Sequence, residues 1–398
     1  MSSNAAAPAE SLKQFQIPFF RPTIGEAEIN SVVETLRSGW LTTGPKTKRF
    51  EQEFAKSVGA EFAIAVNSCT AALHLALEAV GVGRDDEVIV PTLTFASTGE
   101  VVMHLGAKPV LVDVCADTLC IDPDQIERLI TPKTKAIMPV HYGGHPADMD
   151  EIHAIARKHG IHVIEDAAHA IPTEYGGRRV GTISDLTCFS FYANKTMTTG
   201  EGGMVTTNDQ ELADRVRLMS LHGISKDAWK RFSAEGSWYY EILAPGYKYN
   251  MTDINAALGL NQLERSGEFH QRRSAIVQAY DAGLADVEEI KLPAVRPDVV
   301  HAWHLYVIQV DIERLSINRN DFIKALNGAG IGTSVHYLPL HMHPLYRDRF
   351  GYQPSDLPVA QSAFDRIISL PVYPTMTESE VDYVISTVRS IVEENRGR

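Results

Sequence analysis

The chain lacks any long hydrophobic run. No apolar stretch among its 398 residues approaches the roughly 20 residues that a membrane-spanning helix needs. The first residues, MSSNAAAPAESLKQFQ, also lack the basic start and apolar segment of a secretion signal. We therefore expect residues 1–16 to form a disordered leader on a cytoplasmic protein that makes no membrane contact.

Cysteine is scarce, and the metal-ligand patterns that it commonly forms are missing. The four cysteines lie far apart or unpaired, with neither a CxxC motif nor a disulfide framework: Cys69, Cys115, Cys120 and Cys188. This usage is typical of a reducing compartment and predicts no zinc site. His341 and His343 in HMH invite a metal interpretation, but alternate positions of a strand point to opposite faces and no third ligand is evident. We interpret both as polar loop residues and predict no metal.

Positive charge is also in deficit. Lys and Arg number 37 against 50 Asp and Glu, which gives a formal net charge of −13. No basic run is present to neutralise a nucleic-acid backbone, so we expect no nucleic-acid partner. An anionic ligand would instead have to be bound by local donors.

What the sequence does contain is a regular alternation of short apolar runs and helix-like stretches. The runs are EFAIAVN, DEVIVP, KPVLVDV, KAIMPVH, HVIEDAA and TCFSFYA, and the stretches between them include TAALHLALEAV and MDEIHAIARKHG. This pattern predicts an α/β fold with a mostly parallel sheet covered by helices on both faces. The length suggests a large and a small domain. Ligands of such sheets bind beyond the carboxyl ends of the strands.

Two strand ends carry residues suited to an anion and to a ring. After the first run, Ser68 or Thr70 can cap a helix whose free N–H groups would bind a phosphate, although these residues taken alone favour a plain N-cap. After the second, Phe95 is either a core residue or a stacking platform for a flat cofactor.

The later strand ends carry ionisable groups in apolar surroundings. Glu165 and Asp166 are consecutive acids in an apolar run, which is costly unless one meets a cation or hydrogen-bond donors. His169 follows them, either as a ligand contact or as a satisfied core histidine. Ser190 lies within the last run, five residues before Lys195, which stands between that run and a glycine cluster, where a lysine is unusual.

Together these groups match one cofactor. A phosphate, a flat heteroaromatic ring, a ring nitrogen that needs a carboxylate and an aldehyde that needs a lysine describe pyridoxal 5′-phosphate (PLP). Lys195 would be both the covalent anchor and the acid/base, and its apolar surroundings would favour the neutral amine.

The sequence also resembles a known family. GWLTTGPKTKRFEQEFAKSVG, NSCTAALHLAL, DEVIVPTLTFAST, VIEDAAHA, FSFYANKTMTTGEGGMV, GYKYNMTDINAALGLNQLE and ISLPVYPTMTESEVDYVI are similar, in order, to the DegT/DnrJ/EryC1/StrS sugar aminotransferases, over about residues 17–392. PGYKYNMTDINAA, HAWHLYVIQVD and GIGTSVHY most resemble the UDP-4-amino-4-deoxy-L-arabinose aminotransferases within that family.

The resemblance implies a fold-type I aminotransferase. We expect a large PLP-binding domain at 17–260 with a mainly parallel seven-stranded sheet, and a small C-terminal α/β domain at 261–398. It further implies a homodimer whose active sites are shared across the subunit interface.

The resemblance also implies roles for individual residues. Lys195 would bond the aldehyde of PLP, Asp166 would pair with the ring nitrogen, His169 would lie near the phenolic oxygen and Phe95 would stack on the ring. The phosphate would be bound by Ser68, Cys69, Thr70 and Ser190, with Asn250 reaching it from the neighbouring subunit. The nucleotide-sugar pocket would be lined by Trp40, Thr42, Lys46, Tyr192, Lys248, Tyr249, His336 and Tyr337, although SGWLTTGP could be only a turn between helices.

The activity implied is transfer of an amino group from an amino acid, glutamate in the family, to C4 of a nucleotide-linked keto sugar. Pyridoxamine 5′-phosphate (PMP) would be the intermediate form of the cofactor. Two alternatives stay open: transamination at another sugar carbon such as C3, and a non-catalytic regulator with the same fold. Lys195 favours transamination, since relatives with histidine at this position are dehydratases.

Overall fold

The computed structural model describes residues 15–225 and 239–397. Most of the predicted leader, residues 1–14, therefore lies outside the described residues. The described strands are β1 (Phe62–Val66), β2 (Glu87–Pro91), β3 (Lys108–Val112), β4 (Thr134–Ile137), β5 (His162–Asp166), β6 (Glu174–Tyr175), β7 (Arg178–Arg179), β8 (Leu186–Ser190), β9 (Gly203–Thr207), β10 (Ile290–Lys291), β11 (Val299–Val300), β12 (Tyr306–Val310) and β13 (Ile367–Leu370).

From β1 to β5 the helices alternate with the strands along the chain. The described helices are α1 (Glu26–Ser38), α2 (Pro45–Val58), α3 (Cys69–Ala79), α4 (Ala96–His104), α5 (Pro123–Ile126), α6 (Met149–His159), α7 (Gln210–Ser220), α8 (Asp253–Leu284), α9 (Arg319–Gly328), α10 (Pro344–Phe350), α11 (Pro358–Phe364) and α12 (Glu378–Glu394). None of the helices that the structure describes has the length and apolar character needed to cross a bilayer.

The main sheet has seven strands in the order β1-β9-β8-β5-β4-β2-β3. Strand β9 runs antiparallel to both β1 and β8, whereas the pairs β8/β5, β5/β4, β4/β2 and β2/β3 are parallel. The predicted mainly parallel seven-stranded sheet is therefore confirmed, and the carboxyl ends of β1, β2, β4, β5 and β8 lie along one edge.

Both faces of this sheet are buried, which explains why its strands read as continuous apolar runs. In β1, Ile64 and Val66 pack in one cluster with residues of α3, while Ala63 and Ala65 pack in another. The second cluster includes Phe54 of α2. Helices on both faces leave only the sheet edges open to ligands.

A second core lies around the three-stranded antiparallel sheet β10-β12-β13. Side chains of α9, α12 and the last turns of α8 pack there, including Phe322, Val388 and Tyr280. Helix α8 runs without interruption across residue 260, where the sequence places the end of the large domain. That domain boundary remains a prediction.

Candidate active site

The carboxyl edge of the main sheet opens onto one cavity of about 520 Å³. Ser68 follows β1, Phe95 follows β2, Asp166 ends β5 and Ser190 ends β8, while Lys195 lies in the connection 191–202 between β8 and β9. The cavity is lined by Ser68, Cys69, Thr70, Thr94, Phe95, Ser97, Val140, Asp166, Ala168, His169, Ser190, Tyr192, Asn194, Lys195, Glu201, Gly202, His336 and Tyr337. The fold thus brings together eight of the nine predicted cofactor residues.

The N-terminus of α3 forms one end of the cavity. Ser68 is its N-cap, and the Ser68 hydroxyl accepts a hydrogen bond from the Ala71 amide at 3.1 Å. The first N–H groups of a helix have no carbonyl partner within it, so those of Cys69 and Thr70 remain available to an anion. A Cβ atom on Gly203 would come within 2.5 Å of the Ser68 carbonyl carbon. Only glycine there allows β9 to lie this close to the start of α3.

Asp166 is buried and already accepts two hydrogen bonds. The Thr98 hydroxyl donates to Oδ2 at 2.9 Å, and the Ala168 amide donates to Oδ1 at 3.2 Å. Burial raises the pKa of Asp166, while these hydrogen bonds oppose the shift. A carboxylate in this position suits a protonated ring nitrogen, which would add the missing counter-charge.

Glu165 points away from the cavity, and this resolves the pair of consecutive acids. It accepts hydrogen bonds from the Nε2–H of His141 and from the hydroxyl of Thr187, both at 2.8 Å. Burial raises its pKa, but the bonds from His141 and Thr187 outweigh this and the net pKa is lowered. Of the two acids, only Asp166 lines the cavity.

The amine of Lys195 has a lower pKa than that of an ordinary lysine. Burial lowers its pKa to about 8, an effect that the nearby charge of Asp166 opposes. About a tenth of the Lys195 amine is therefore neutral at pH 7, and attack on an aldehyde requires this neutral form.

His169 and Tyr337 meet at the other end of the cavity. The Gly143 amide donates to His169 Nδ1 at 3.2 Å, and Tyr337 Oη lies 3.0 Å from His169 Nε2. Burial lowers the pKa of His169 well below its usual value. The ring of Phe95, 59% exposed, lies 5.8 Å from that of Tyr337. His169 is therefore both hydrogen-bonded and a cavity residue.

The remaining predicted residues occupy different places. Tyr192, His336 and Tyr337 line the cavity. Its described lining does not include Trp40, Thr42, Lys46, Lys248, Tyr249 or Asn250.

Three of these outlying residues bind elsewhere in the same chain. Asn250 Nδ2 donates to the Thr43 hydroxyl at 2.7 Å. The Tyr249 hydroxyl lies 3.1 Å from His74 Nδ1, and Lys46 Nζ donates to the Ser31 carbonyl at 2.9 Å. Within one subunit, these side chains are separate from the cavity.

The HMH segment differs from the predicted polar loop. His341 lies in a short 3₁₀ helix, Leu340–Met342, and is buried beside Thr92, whose hydroxyl is 2.7 Å from its Nδ1. The interpretation of His341 as a polar loop residue is wrong, because its ring fills a buried site. Across the described ranges, no group of three His, Cys, Asp or Glu side chains could hold a metal.

Sequence reasoning missed Thr98 and Gly143, which contact Asp166 and His169. Thr94 and Thr98 are four residues apart where α4 begins, and their hydroxyls lie 2.7 Å from each other. That spacing was a usable signal for a polar pair on one face. Nothing local marks Gly143, since it contacts His169 only through the pairing of β4 beside β5.

Comparison with known proteins explains this arrangement. A model of the DegT/DnrJ/EryC1/StrS aminotransferase family matches residues 22–389. The chain belongs to this family. It is 52% identical over 378 residues to the spore coat polysaccharide biosynthesis protein SpsC of Bacillus subtilis, covering 95% of this chain and 97% of SpsC.

Solved structures agree with the family assignment. Spr1654 from Streptococcus pneumoniae in its PMP-form gives a TM-score of 0.89 at 40% identity, covering 96% of this chain and 98% of that one. Its PLP-form also gives 0.89. PseC of Helicobacter pylori, an aminotransferase involved in the biosynthesis of pseudoaminic acid, gives 0.89 at 28% identity, covering 96% and 100%. This chain is accordingly a fold-type I, PLP-dependent sugar aminotransferase, with PMP as the intermediate form.

The residues present fit PLP. Free amide donors at the start of α3 suit its phosphate, the buried carboxylate of Asp166 suits a protonated ring nitrogen, and the amine of Lys195 suits the aldehyde. All three groups line the same cavity.

Proposed function

We propose that this aminotransferase transfers the amino group of glutamate to C4 of a nucleotide-linked keto sugar, in the cavity at the carboxyl edge of the sheet. One observation carries the proposal. Lys195, Asp166 and the start of α3 face a single cavity, whose volume is in the range of cofactor sites.

In this proposal the residues divide the work. PLP supplies an electron sink and carries the amino group between the two substrates. Lys195 would hold the aldehyde of PLP, and its amine would move a proton to and from the reacting carbon of the substrate. Asp166 keeps the ring nitrogen protonated, and its burial strengthens that electrostatic interaction.

The nucleotide sugar is proposed to enter beside Tyr192 and His336, which line the cavity. Lys248 and Trp40 are exposed outside it. Lys248 can offer a cation to a phosphate of the nucleotide, and Trp40 can offer a ring that stacks on its base. The names of SpsC and PseC support a sugar as the substrate.

A homodimer is part of the proposal. Lys248 and Asn250 lie outside the cavity of their own chain, where a partner subunit's cavity would be able to use them. Large apolar side chains are exposed on α1, in the segment after it and at 242–243: Ile29, Leu36, Trp40, Leu41, Ile242 and Leu243. Such exposure suits contact with a second copy.

All four cysteines are free, which supports a reducing compartment such as the cytoplasm.

Isotope transfer tests the proposal. The enzyme is incubated with PLP, ¹⁵N-glutamate and a panel of nucleotide-linked 4-keto and 3-keto sugars, and NMR locates the label. We expect ¹⁵N on C4 of at least one sugar and none with Lys195→Ala. Label on C3 would overturn the proposed position. Label in no sugar, with glutamate still consumed, would overturn the proposed acceptor class.

A further inference from the structure

The hydrogen bonds that link Gly143, His169 and Tyr337 have a definite direction. We propose that Tyr337 donates its hydroxyl proton to the phenolic oxygen of bound PLP and that His169 is a positioning residue acting through Tyr337. The inference rests on the proposed cofactor site.

The direction follows from the two nitrogens of His169. A backbone amide can only donate, so the Gly143 N–H makes Nδ1 of His169 an acceptor, at 3.2 Å. A neutral imidazole then carries its proton on Nε2. That proton points to Tyr337 Oη, 3.0 Å away. Tyr337 therefore accepts from His169 and keeps its own proton for an acceptor in the cavity.

The surroundings keep both groups neutral. Burial is the main cause that lowers the pKa of His169, and the positive charge of Lys195 adds to it. Burial also raises the pKa of Tyr337, with a further contribution from the charge of Asp166. The ring of His304, 4.4 Å from that of His169, has its pKa lowered by burial too and adds no charge at neutral pH.

The order of the strands places this donor beside the phenolic oxygen. Along the edge, Ser68 after β1 and Ser190 of β8 lie on one side of Asp166, and Gly143 after β4 lies on the other. In PLP the phosphate arm and the phenolic oxygen are attached on opposite sides of the line from the ring nitrogen to the aldehyde carbon. With the phosphate at the start of α3, the phenolic oxygen faces the Gly143 side, where His169 holds Tyr337.

The test is the pH at which the visible absorbance of the bound cofactor titrates. A hydrogen bond to the phenolic oxygen favours the more negative state and lowers that pKa. We expect Tyr337→Phe to raise it by about one unit or more. Affinity of the apo-protein for PLP should fall by about tenfold.

A cofactor analogue separates this role from a structural one. Affinity for 3-deoxypyridoxal 5′-phosphate, which lacks the phenolic oxygen, should be the same in Tyr337→Phe and wild type. The control is Tyr373→Phe, which removes a buried hydroxyl without a hydrogen-bond partner among the described residues. It should leave the titration unchanged.

His169→Asn tests the positioning role. Asn keeps an acceptor for the Gly143 amide but is too short to hold Tyr337. We expect the cofactor pKa to rise in this variant. In the double variant with Tyr337→Phe, the cofactor pKa should equal that of Tyr337→Phe alone. An unshifted titration in Tyr337→Phe that still binds PLP on Lys195 would overturn this inference alone. Failure of the wild type to bind PLP would instead overturn the cofactor site.

Discussion

Burial acts in opposite directions on the two ionisable groups at the centre of the cavity. It lowers the pKa of Lys195 and raises that of Asp166, because the charged form of each is disfavoured away from water. Each charge opposes the shift of the other. The amine becomes nucleophilic near neutral pH, whereas Asp166 still has hydrogen bonds from Thr98 and Ala168 that favour its charge.

The pKa of Lys195 predicts how fast the apo-protein captures PLP. Because this pKa is about 8, the neutral fraction of the amine should rise about fiftyfold from pH 6 to pH 8 and then level off. The measurement is the initial rate of appearance of the visible cofactor band, divided by the rate for Nα-acetyl-lysine at the same pH. The scan extends to pH 10, and between pH 6 and pH 10 this ratio should fall by about fiftyfold or more, because the acetyl-lysine amine continues to gain its neutral form above pH 8 whereas Lys195 does not. A ratio that stays constant up to pH 10 would show that Lys195 has an ordinary amine.

Substitutions of Asp166 and of Thr98 should lower the single-turnover rate with glutamate by different amounts. Asp166→Asn removes the negative charge opposite the ring nitrogen, so we expect the single-turnover rate with glutamate to fall by about a hundredfold or more. Thr98→Val removes one hydrogen bond to that carboxylate and should cost about tenfold at most. An unchanged rate in Asp166→Asn would place the partner of the ring nitrogen elsewhere.

At the scale of elements, the anion site formed by the free amides at the start of α3 depends on how closely β9 approaches that helix. Gly203→Ala would place a Cβ atom 2.5 Å from the Ser68 carbonyl carbon and push the two elements apart. We expect a loss of about 1–3 kcal/mol in the free energy of unfolding, together with weaker PLP binding. Urea denaturation and PLP titration measure the two effects.

Gly267 provides the matched control for this change. It lies within α8, and a Cβ atom there would meet nothing within 4 Å. Gly267→Ala should leave PLP binding unchanged and stabilise the helix by up to about 1 kcal/mol. Equal PLP affinity in the two alanine variants would contradict the proposed role of the β9 contact.

The elements that carry the site were predictable, and the contacts between them were not. Apolar runs located six of the seven strands of the main sheet, all except β9, and the rule that ligands bind at carboxyl ends selected Ser68, Asp166 and Lys195. Thr98 was missed although its spacing from Thr94 was a usable signal. Gly143 was missed because it contacts the site through the packing of neighbouring strands, which local spacing does not encode. The burial of His341 was missed for the same reason.

At the scale of the whole molecule, the dimer proposal makes a test of Asn250 possible. Lys195→Ala and Asn250→Ala are each prepared as inactive proteins, then mixed in equal amounts, unfolded and refolded together. If Asn250 serves the partner's cavity, half of the dimers contain one intact site, and about a quarter of wild-type activity returns.

The mixing experiment distinguishes two arrangements. If Asn250 serves its own cavity, every Lys195-containing site in the mixture lacks it and no activity returns. Refolding each variant alone is the control, and analytical ultracentrifugation should give a mass of about twice the 43.9 kDa chain. A monomer that is fully active would contradict the shared site.

The most direct test of the account is to find which residue bonds the cofactor. The protein is loaded with PLP, reduced with borohydride and digested, and the labelled peptide is identified by mass spectrometry, with and without prior treatment with glutamate. We predict a label on Lys195 in the untreated sample and its loss after glutamate, since the amino group then resides on the cofactor as PMP. A label on another lysine, or a label on Lys195 that glutamate leaves in place, would contradict the central claim.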